Sequence, residues 1–305
     1  MSLKIIHTKN LKWIDIVQPN DQDLVYLKEH FPFHPLDYED VMTPSTRPKI
    51  DAYDSYHFII LLFPFLNKNK EEIQPVEVDF FVGPDYMVTI HNGAMKTLTN
   101  LVHNVSQYDN VRNQYMSSSP GYLLFSVLEL LFKRSFPILD HINRSLDQAG
   151  REIFEADFKT LKRLSTLKKN IIIYRRIMKM HKFVLSKLMH SKQLYLQFQF
   201  SKNYFQNLIE YAENIWDVLA SDKETTESYE QTNQSLAAHR MNDILRTLTI
   251  FSVVIFILTL FVNVMLFAET VTRIDEYPYL LPLTITSLLL ITLGMLTYFK
   301  HKKWL

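Results

Sequence analysis

The chain of 305 residues sets 33 Lys and Arg against 32 Asp and Glu, for a formal net charge of +1, and contains no Cys. A balance this even gives no electrostatic footprint for nucleic acid, and the missing Cys excludes disulfides, thiolate metal sites and Cys nucleophiles. The length leaves room for one or two soluble domains beside any membrane segment.

The first 120 residues hold most of the prolines and most of the β-branched and aromatic runs. Met1 to Gln22 has no continuous apolar core, so no signal peptide is expected. Leu11-Lys12-Trp13-Ile14-Asp15-Ile16 alternates and predicts a strand closed by Pro19-Asn20. Asn20-Asp21-Gln22-Asp23 then offers a helix cap with acids in the first turn of a helix through about His30. Pro35 to Val41 predicts a short helical turn, and Arg47 to Asp51 opens an extended segment. Tyr56 to Phe65 is a strongly apolar strand. Val76 to Val82 predicts another of about five to seven residues, and the tight Gly83-Pro84-Asp85 joins it to Tyr86–His91 as a hairpin. Met95 to Val105 is helical in spacing. Strands mixed with helices in one stretch predict an α+β domain, a mixed sheet packed with helices, over 1–120.

From Gly121 the period becomes helical. Leu123, Val127, Leu130, Leu131 and Arg134 begin a long helix carried on by Ile138, Ile142 and Leu146, with Pro137 as its expected kink. Lys159 to His190 keeps the spacing, with Leu161, Leu164, Leu167, Ile171, Tyr174, Ile177 and Met178 on the apolar face. Lys168, Lys169, Arg175, Arg176 and Lys179 crowd the other, which reads first as a solvated surface and second as a polyanion site. Residues 121–203 thus form a helical region. After Gly150 neither Gly nor Pro occurs before Pro278, so the stretch between should be almost all helix.

Two apolar runs end the chain. Leu248 to Ala268 is 21 residues without a charge, about 30 Å of helix and the thickness of a hydrocarbon core. Leu280 to Phe299 is equally free of charge, and 269–279 is a short polar turn. Lys300, His301, Lys302 and Lys303 follow the second run, so by the positive-inside rule both termini are cytoplasmic in the cell (inner) membrane. Tyr277, Tyr279, Tyr298 and Trp304 stand where interfacial anchors are expected. No breaker separates Tyr204 from Ala268, so 204–268 predicts one stalk helix of about 95 Å continuing as the first span. Such a helix needs partners. Asn242, Leu245, Thr249, Ser252, Phe256, Thr259 and Asn263 fall at alternating steps of three and four, a stripe suited to packing against copies of itself. Polar groups inside a span favour a bundle interior or a watery cavity, although Ser and Thr can also bond back to their own helix.

Several stretches, in order along nearly the whole chain, resemble the CorA family of divalent-cation transporters, which includes the ZntB branch. They are Trp13-Ile14-Asp15-Ile16, Phe33-His34-Pro35-Leu36-Asp37-Tyr38-Glu39-Asp40-Val41, Arg47-Pro48-Lys49-Ile50-Asp51 with Tyr53-Asp54, and Val78–Gly83 with Tyr86–Thr89. Later come Phe136-Pro137-Ile138-Leu139-Asp140, Arg240-Met241-Asn242 and the ending Tyr298–Leu305. The resemblance implies a CorA-like homopentameric funnel: a cytoplasmic domain, a stalk helix continuing as the pore-lining span, and a second span on the lipid side. Its substrate would be a divalent cation such as Mg²⁺, Co²⁺, Ni²⁺ or Zn²⁺, and its pore would be lined by the seven stripe residues.

The family's Gly-Met-Asn signature, where the hydrated ion is first held, is replaced here by Leu266-Phe267-Ala268. Asn263, about one and a half turns deeper, is the amide left to substitute for it, either as a filter ring or as an inter-helix ladder that fixes register. Glu269, Asp275 and Glu276 would concentrate cations at the outer mouth. In the stalk, where many members place a carboxylate for a regulatory cation, Asn207 presents an amide with Glu210 nearby, which weakens a site for a hard ion. Two readings stay open beside Mg²⁺ transport: ZntB-like zinc transport, and a non-conducting pentameric scaffold or sensor. An enzyme is not expected. His34, His57, His91, His103, His181 and His190 show no paired metal-ligand spacing, and there is no Gly-rich phosphate loop.

Overall fold

The structure, a computed structural model, describes residues 3–45, 47–67, 69, 71–155, 158–271 and 279–302. Within these, the side chains of 155, 158, 159, 268–271, 280, 281 and 296 are not described. Two compact units divide the chain, Met1–Glu230 and Gln231–Leu305.

The first unit is built on a six-stranded sheet: β1 (Leu3–His7), β2 (Lys12–Val17), β3 (Lys49–Ala52), β4 (His57–Asn67), β5 (Glu72–Val82) and β6 (Tyr86–His91), in the order β1-β2-β6-β5-β4-β3. The β2–β6 pair is parallel, and the other pairs are antiparallel. Helices α1 (Asp21–His30) and α2 (Pro35–Met42) separate β2 from β3. After the sheet come α3 (Lys96–Gln107), α4 (Asp109–Met116), α5 (Pro120–Glu152) and α6 (Phe158–Met189), with one-turn 3₁₀ helices at Ile153–Glu155 and Leu194–Leu196.

Local chemistry accounts for the boundaries. Asn20 caps α1 by accepting from the backbone N–H groups of Gln22 and Asp23, while the Asp23 side chain reaches back to the Asn20 N–H, closing a capping box. Pro35 opens α2 where a missing N–H costs nothing, and His34 Nδ1 accepts from Leu36. Strand β5 is longer than its sequence suggests. Pro75 reads as a terminator at Val76, yet it pairs with Pro64 in a β4–β5 ribbon that extends past the ends of β3 and β6. With no third strand alongside, neither proline withholds a ladder bond. Asn170 of α6 holds the ribbon's end, accepting from the Ile73 N–H and donating to the Glu71 carbonyl, both at 2.8 Å.

Both sheet faces are covered. On one, Trp13, Phe63, Val78 and Phe80 pack with Leu128, Phe132, Tyr174 and Leu208. On the other, Ile14, Ile16, Phe58, Phe81 and Ile90 meet Leu27 of α1 and Tyr38 and Val41 of α2. Double coverage explains why His57 to Pro64 is buried without interruption. Between these layers runs a buried chain of polar groups. Trp13 Nε1 donates to Thr89 Oγ1 at 3.1 Å, Thr89 Oγ1 donates to Asp15 Oδ1 at 2.5 Å, and His91 Nε2 lies 3.3 Å from the same oxygen.

On α6, Leu164, Leu167, Ile171, Tyr174, Ile177 and Met178 are buried as the spacing requires, but Leu161 is 39% exposed. Of the basic face, Lys168, Lys169 and Arg175 are engaged by neighbouring elements, as is the nearby Lys182, while Arg176 and Lys179 are exposed, so part of the face is solvated as expected. Lys168 pairs with Glu230 at 2.5 Å, Lys169 with Glu72 at 2.8 Å and Lys182 with Glu213 at 2.5 Å, and Arg175 stacks 4.2 Å over the Trp216 ring. Helix α7 runs unbroken from Ser201 to Val271, three residues beyond the expected end of the span, and α8 covers Leu280–His301.

Replacing Thr89 by Val strands the Trp13 N–H in the core and removes the hydroxyl that donates to Asp15. Each buried polar group left unpaired costs about 1–3 kcal/mol, so a loss of about 2–4 kcal/mol is expected. It would be read as a lower midpoint of thermal unfolding of the full chain in detergent, with Thr89→Ser close to wild type.

Candidate ion pathway

Helices α7 and α8 each contain a segment long and apolar enough to cross a membrane. On α7, Leu248, Phe251, Ile255, Phe256, Leu260, Val264, Leu266 and Phe267 are between 50% and 70% exposed. On α8, Leu283, Leu289, Leu290 and Leu293 are more than 60% exposed. A helix apolar around its whole circumference and uncovered by its own chain calls for lipid or other chains as its surroundings.

At about 100° per residue, Asn242, Leu245, Thr249, Ser252, Phe256, Thr259 and Asn263 share an arc of about 100° on α7. All seven are exposed. The structure therefore brings them onto one open face, as their spacing predicts. Thr249 and Thr259 each donate their hydroxyl to the carbonyl four residues back, Leu245 at 2.7 Å and Ile255 at 2.8 Å. Back-bonding uses the proton and leaves oxygen lone pairs turned outward, where they can accept from water. Leu266 and Phe267 are 57% and 69% exposed. The side chains of Ala268 and Glu269, and the whole of Asp275 and Glu276, lie outside the described residues.

Farther back on α7, Asn207 is half-buried and Glu210 exposed, with Gln206 Nε2 donating to Glu210 Oε1 at 3.3 Å. Among the described residues, no three His, Asp or Glu side chains converge in a way that could hold a metal ion. The histidines agree with that. His57 and His181 are buried, and burial depresses each to about 4, so both are neutral; the nearby Lys187 ammonium adds to the effect at His57. His57 Nδ1 bonds the Tyr195 hydroxyl at 2.8 Å, and His181 Nδ1 bonds the Ile177 carbonyl at 2.8 Å.

Spacing in the sequence does not bring out a set of acids beneath α2. Asp37 and Asp40 come from α2, Asp51 from β3, and Glu77 and Asp79 from β5; the Lys49 ammonium pairs with Asp40 and, at 2.8 Å, with Asp51. Lys49, Ile60 and Asp79 stand in one row across β3, β4 and β5. Asp37 accepts from Tyr56 at 2.7 Å and Tyr53 at 3.1 Å, and burial nonetheless raises its pKa above the ordinary aspartate value. Burial, and then the neighbouring Glu77, push Asp79 well above that value. Burial also raises Glu77, although the Ser45 N–H donates to it at 2.6 Å. The signal was present in the sequence: Glu77 and Asp79 alternate within an apolar strand, and such alternation turns both to one face.

A family profile described as CorA-like Mg²⁺ transporter protein matches residues 8–301. The putative metal ion transporter YfjQ of Bacillus subtilis is 27% identical over 301 residues, covering 96% of this chain and 89% of that protein. The cobalt/magnesium transport protein CorA of Thermotoga maritima is 25% identical over 297 residues, covering 96% of this chain and 83% of that one. Among solved structures, the complete CorA magnesium transporter of Methanocaldococcus jannaschii superposes with a TM-score of 0.81 at 17% identity, covering 98% of this chain and 94% of that one. The mixed sheet, the long helix and the C-terminal helix are thus a known arrangement.

Lys49→Met removes the cation that pairs with Asp40 and Asp51, leaving the acids to repel one another. The expected loss is about 1–2 kcal/mol, discounted because the ammonium is partly exposed. Repulsion needs ionised carboxylates, so the deficit should be full in alkaline buffer and shrink as acidification takes the pH down through the raised pKa values of Asp79, Glu77 and Asp37. Thermal unfolding of both proteins across that range checks the sign.

Proposed function

This chain belongs to the CorA-like Mg²⁺ transporter family, a membrane family that transports divalent metal cations, and we propose that it passes Mg²⁺ through a pore made by five copies of α7. The observation that carries the proposal is the stripe from Asn242 to Asn263, which is exposed on one face and includes an amide within 21 uncharged residues. An unpaired amide at that depth is costly toward lipid, and a shared axis filled with water removes the cost.

On this reading each stripe residue has a task. Thr249, Ser252 and Thr259 offer oxygens to the ion's water shell, since Mg²⁺ sheds water reluctantly. Phe256, 68% exposed, forms an apolar ring that gates by dewetting. Asn263 replaces the missing signature as outer filter, its carbonyl oxygens meeting the hydrated ion, while Glu269, Asp275 and Glu276 raise the local cation concentration. Leu245 and Asn242 continue the wall toward the stalk, where Asn207 and Glu210 form a weakened regulatory site. Both termini face the cytoplasm of the inner membrane, because Lys300, Lys302 and Lys303 outweigh the single Arg273 of the turn.

Two features favour other readings. The apolar Leu266 and Phe267, standing where family members hold the ion, fit a sealed pentamer that serves as scaffold or sensor. The hard-oxygen stripe has no soft ligand to select zinc, yet a ZntB-like path that moves hydrated Zn²⁺ would use the same residues.

Flux into liposomes of Mg²⁺, Co²⁺, Ni²⁺ and Zn²⁺, with and without a pH gradient, separates the three. The pore reading expects Mg²⁺ flux that Asn263→Ala reduces at least tenfold, that Asn263→Asp redirects among ions, and that Phe256→Ala raises. No flux from a correctly assembled pentamer would support the scaffold, and loss of the pentamer with either Asn263 change would make that residue a register device.

A further inference from the structure

Glu77 and Asp79 stand at alternate positions of β5, on the sheet face that carries α2, opposite Leu62 and Ile60 of β4. Asp79 is only 3% exposed, and its Oδ1 has no hydrogen-bond partner. Glu77 is its neighbour on that face and, after burial, the next cause of its raised pKa, ahead of the more distant Asp40 and Lys49, so the two carboxyl groups lie close together. Both line a cavity of about 270 Å³, walled by Val41 and Met42 of α2, by Pro44 after it, and by Ile90 and Asn92 at the end of β6.

The charges around the pair leave it without a counter-ion. Lys49 of β3 is engaged by Asp40 of α2 and by Asp51. His91 of β6 shares the cavity wall, but its Nδ1 accepts from the Gly93 N–H at 3.0 Å, and its Nε2 lies 3.3 Å from Asp15. A single shared proton would serve the contact between the two carboxyls and leave Asp79 Oδ1 as it stands, buried and unpaired. It would also make no use of the cavity. The space is many times what one water needs, enough for an ion that keeps several of its waters.

We propose that Glu77 and Asp79 form a binding site for one divalent cation of the magnesium type, held by the two carboxylates together with waters in the cavity beneath α2. The ligand class follows from the donors. Two carboxylates supply two negative charges and hard oxygens, and Mg²⁺ is commonly held by one or two carboxylates with retained water rather than by a closed protein cage. The site is made by residues of the sheet and shares none with the α7 stripe, so it stands whether or not the chain conducts.

Equilibrium dialysis of the full-length protein in detergent against Mn²⁺, as a probe for Mg²⁺, counts ions bound per chain. The variants are Asp79→Asn and Glu77→Gln, each close in shape to the original, with thermal unfolding in metal-free buffer to establish that each is folded. The proposal requires each folded variant to bind one Mn²⁺ fewer per chain than wild type, and excess Mg²⁺ to displace that ion from wild type. Should Asp79→Asn not fold, Glu77→Gln decides by the same count. An undiminished Mn²⁺ count in a folded variant would overturn the proposal and leave a carboxyl pair that holds a proton alone.

Discussion

Inside a bilayer no water satisfies a backbone N–H or C=O, so a chain that crosses must close those bonds within itself. Helix α7 does so over an uncharged run, and because it is one helix from Ser201 to Val271, the same element belongs both to the sheet-bearing unit and to the membrane segment. Much else answers to that constraint. Residues 151–277 exclude Gly and Pro, since either would open the ladder or weaken it. Partners on β5 and α7 engage part of the basic face of α6, joining the helical layer through Lys168–Glu230 and Lys182–Glu213. Exposed ion pairs of this kind add little stability individually. Their more useful effect is register, because each fixes which turn of α6 faces which turn of α7.

The sheet solves a different problem. With both faces covered, every polar group it carries inward must find a partner, and the two faces do so differently. On the α5/α6 side, hydrogen bonds link Trp13 to Thr89 and Thr89 to Asp15, and His91 Nε2 lies 3.3 Å from Asp15. On the α2 side, Asp37 is served by two tyrosine hydroxyls, Asp40 and Asp51 by Lys49, and Glu77 by a backbone N–H. Asp79 alone of these five acids keeps a buried oxygen with no partner. The imbalance of charge lies under one short helix, where it is sensitive to protons and to cations.

Features fixed by local chemistry were legible in the sequence. The Asn20–Asp23 box, Pro35 at a helix start and the Gly83-Pro84-Asp85 turn each depend on neighbours in sequence, and each stands where it was expected. The α7 stripe was legible because helical period alone decides which residues share a face. Less was visible where local and tertiary signals disagree. Strand β1 is short and lies at the sheet edge, and α4, Asp-Asn-Val-Arg-Asn-Gln-Tyr-Met, buries little but Met116, so neither carries a strong period. The first residues of β5 hide behind Pro75, which is harmless only because no third strand runs beside the ribbon. The acids beneath α2 come from three elements far apart in sequence, and no spacing rule links Asp40 to Lys49 or Asp79. The outer-mouth residues Asp275 and Glu276 lie outside the described residues.

The central claim is that one face of α7, and not the helix as a whole, meets the permeating ion. Because the chain has no Cys, single cysteines can be placed at every position from 242 to 267 without a background, and each reconstituted protein treated with a water-soluble thiol reagent while Mg²⁺ flux is followed. Modification should change flux at 242, 245, 249, 252, 256, 259 and 263 and leave the intervening positions unaffected, a period of alternating three and four. Reactivity spread evenly around the helix, or confined to the opposite face, would contradict it.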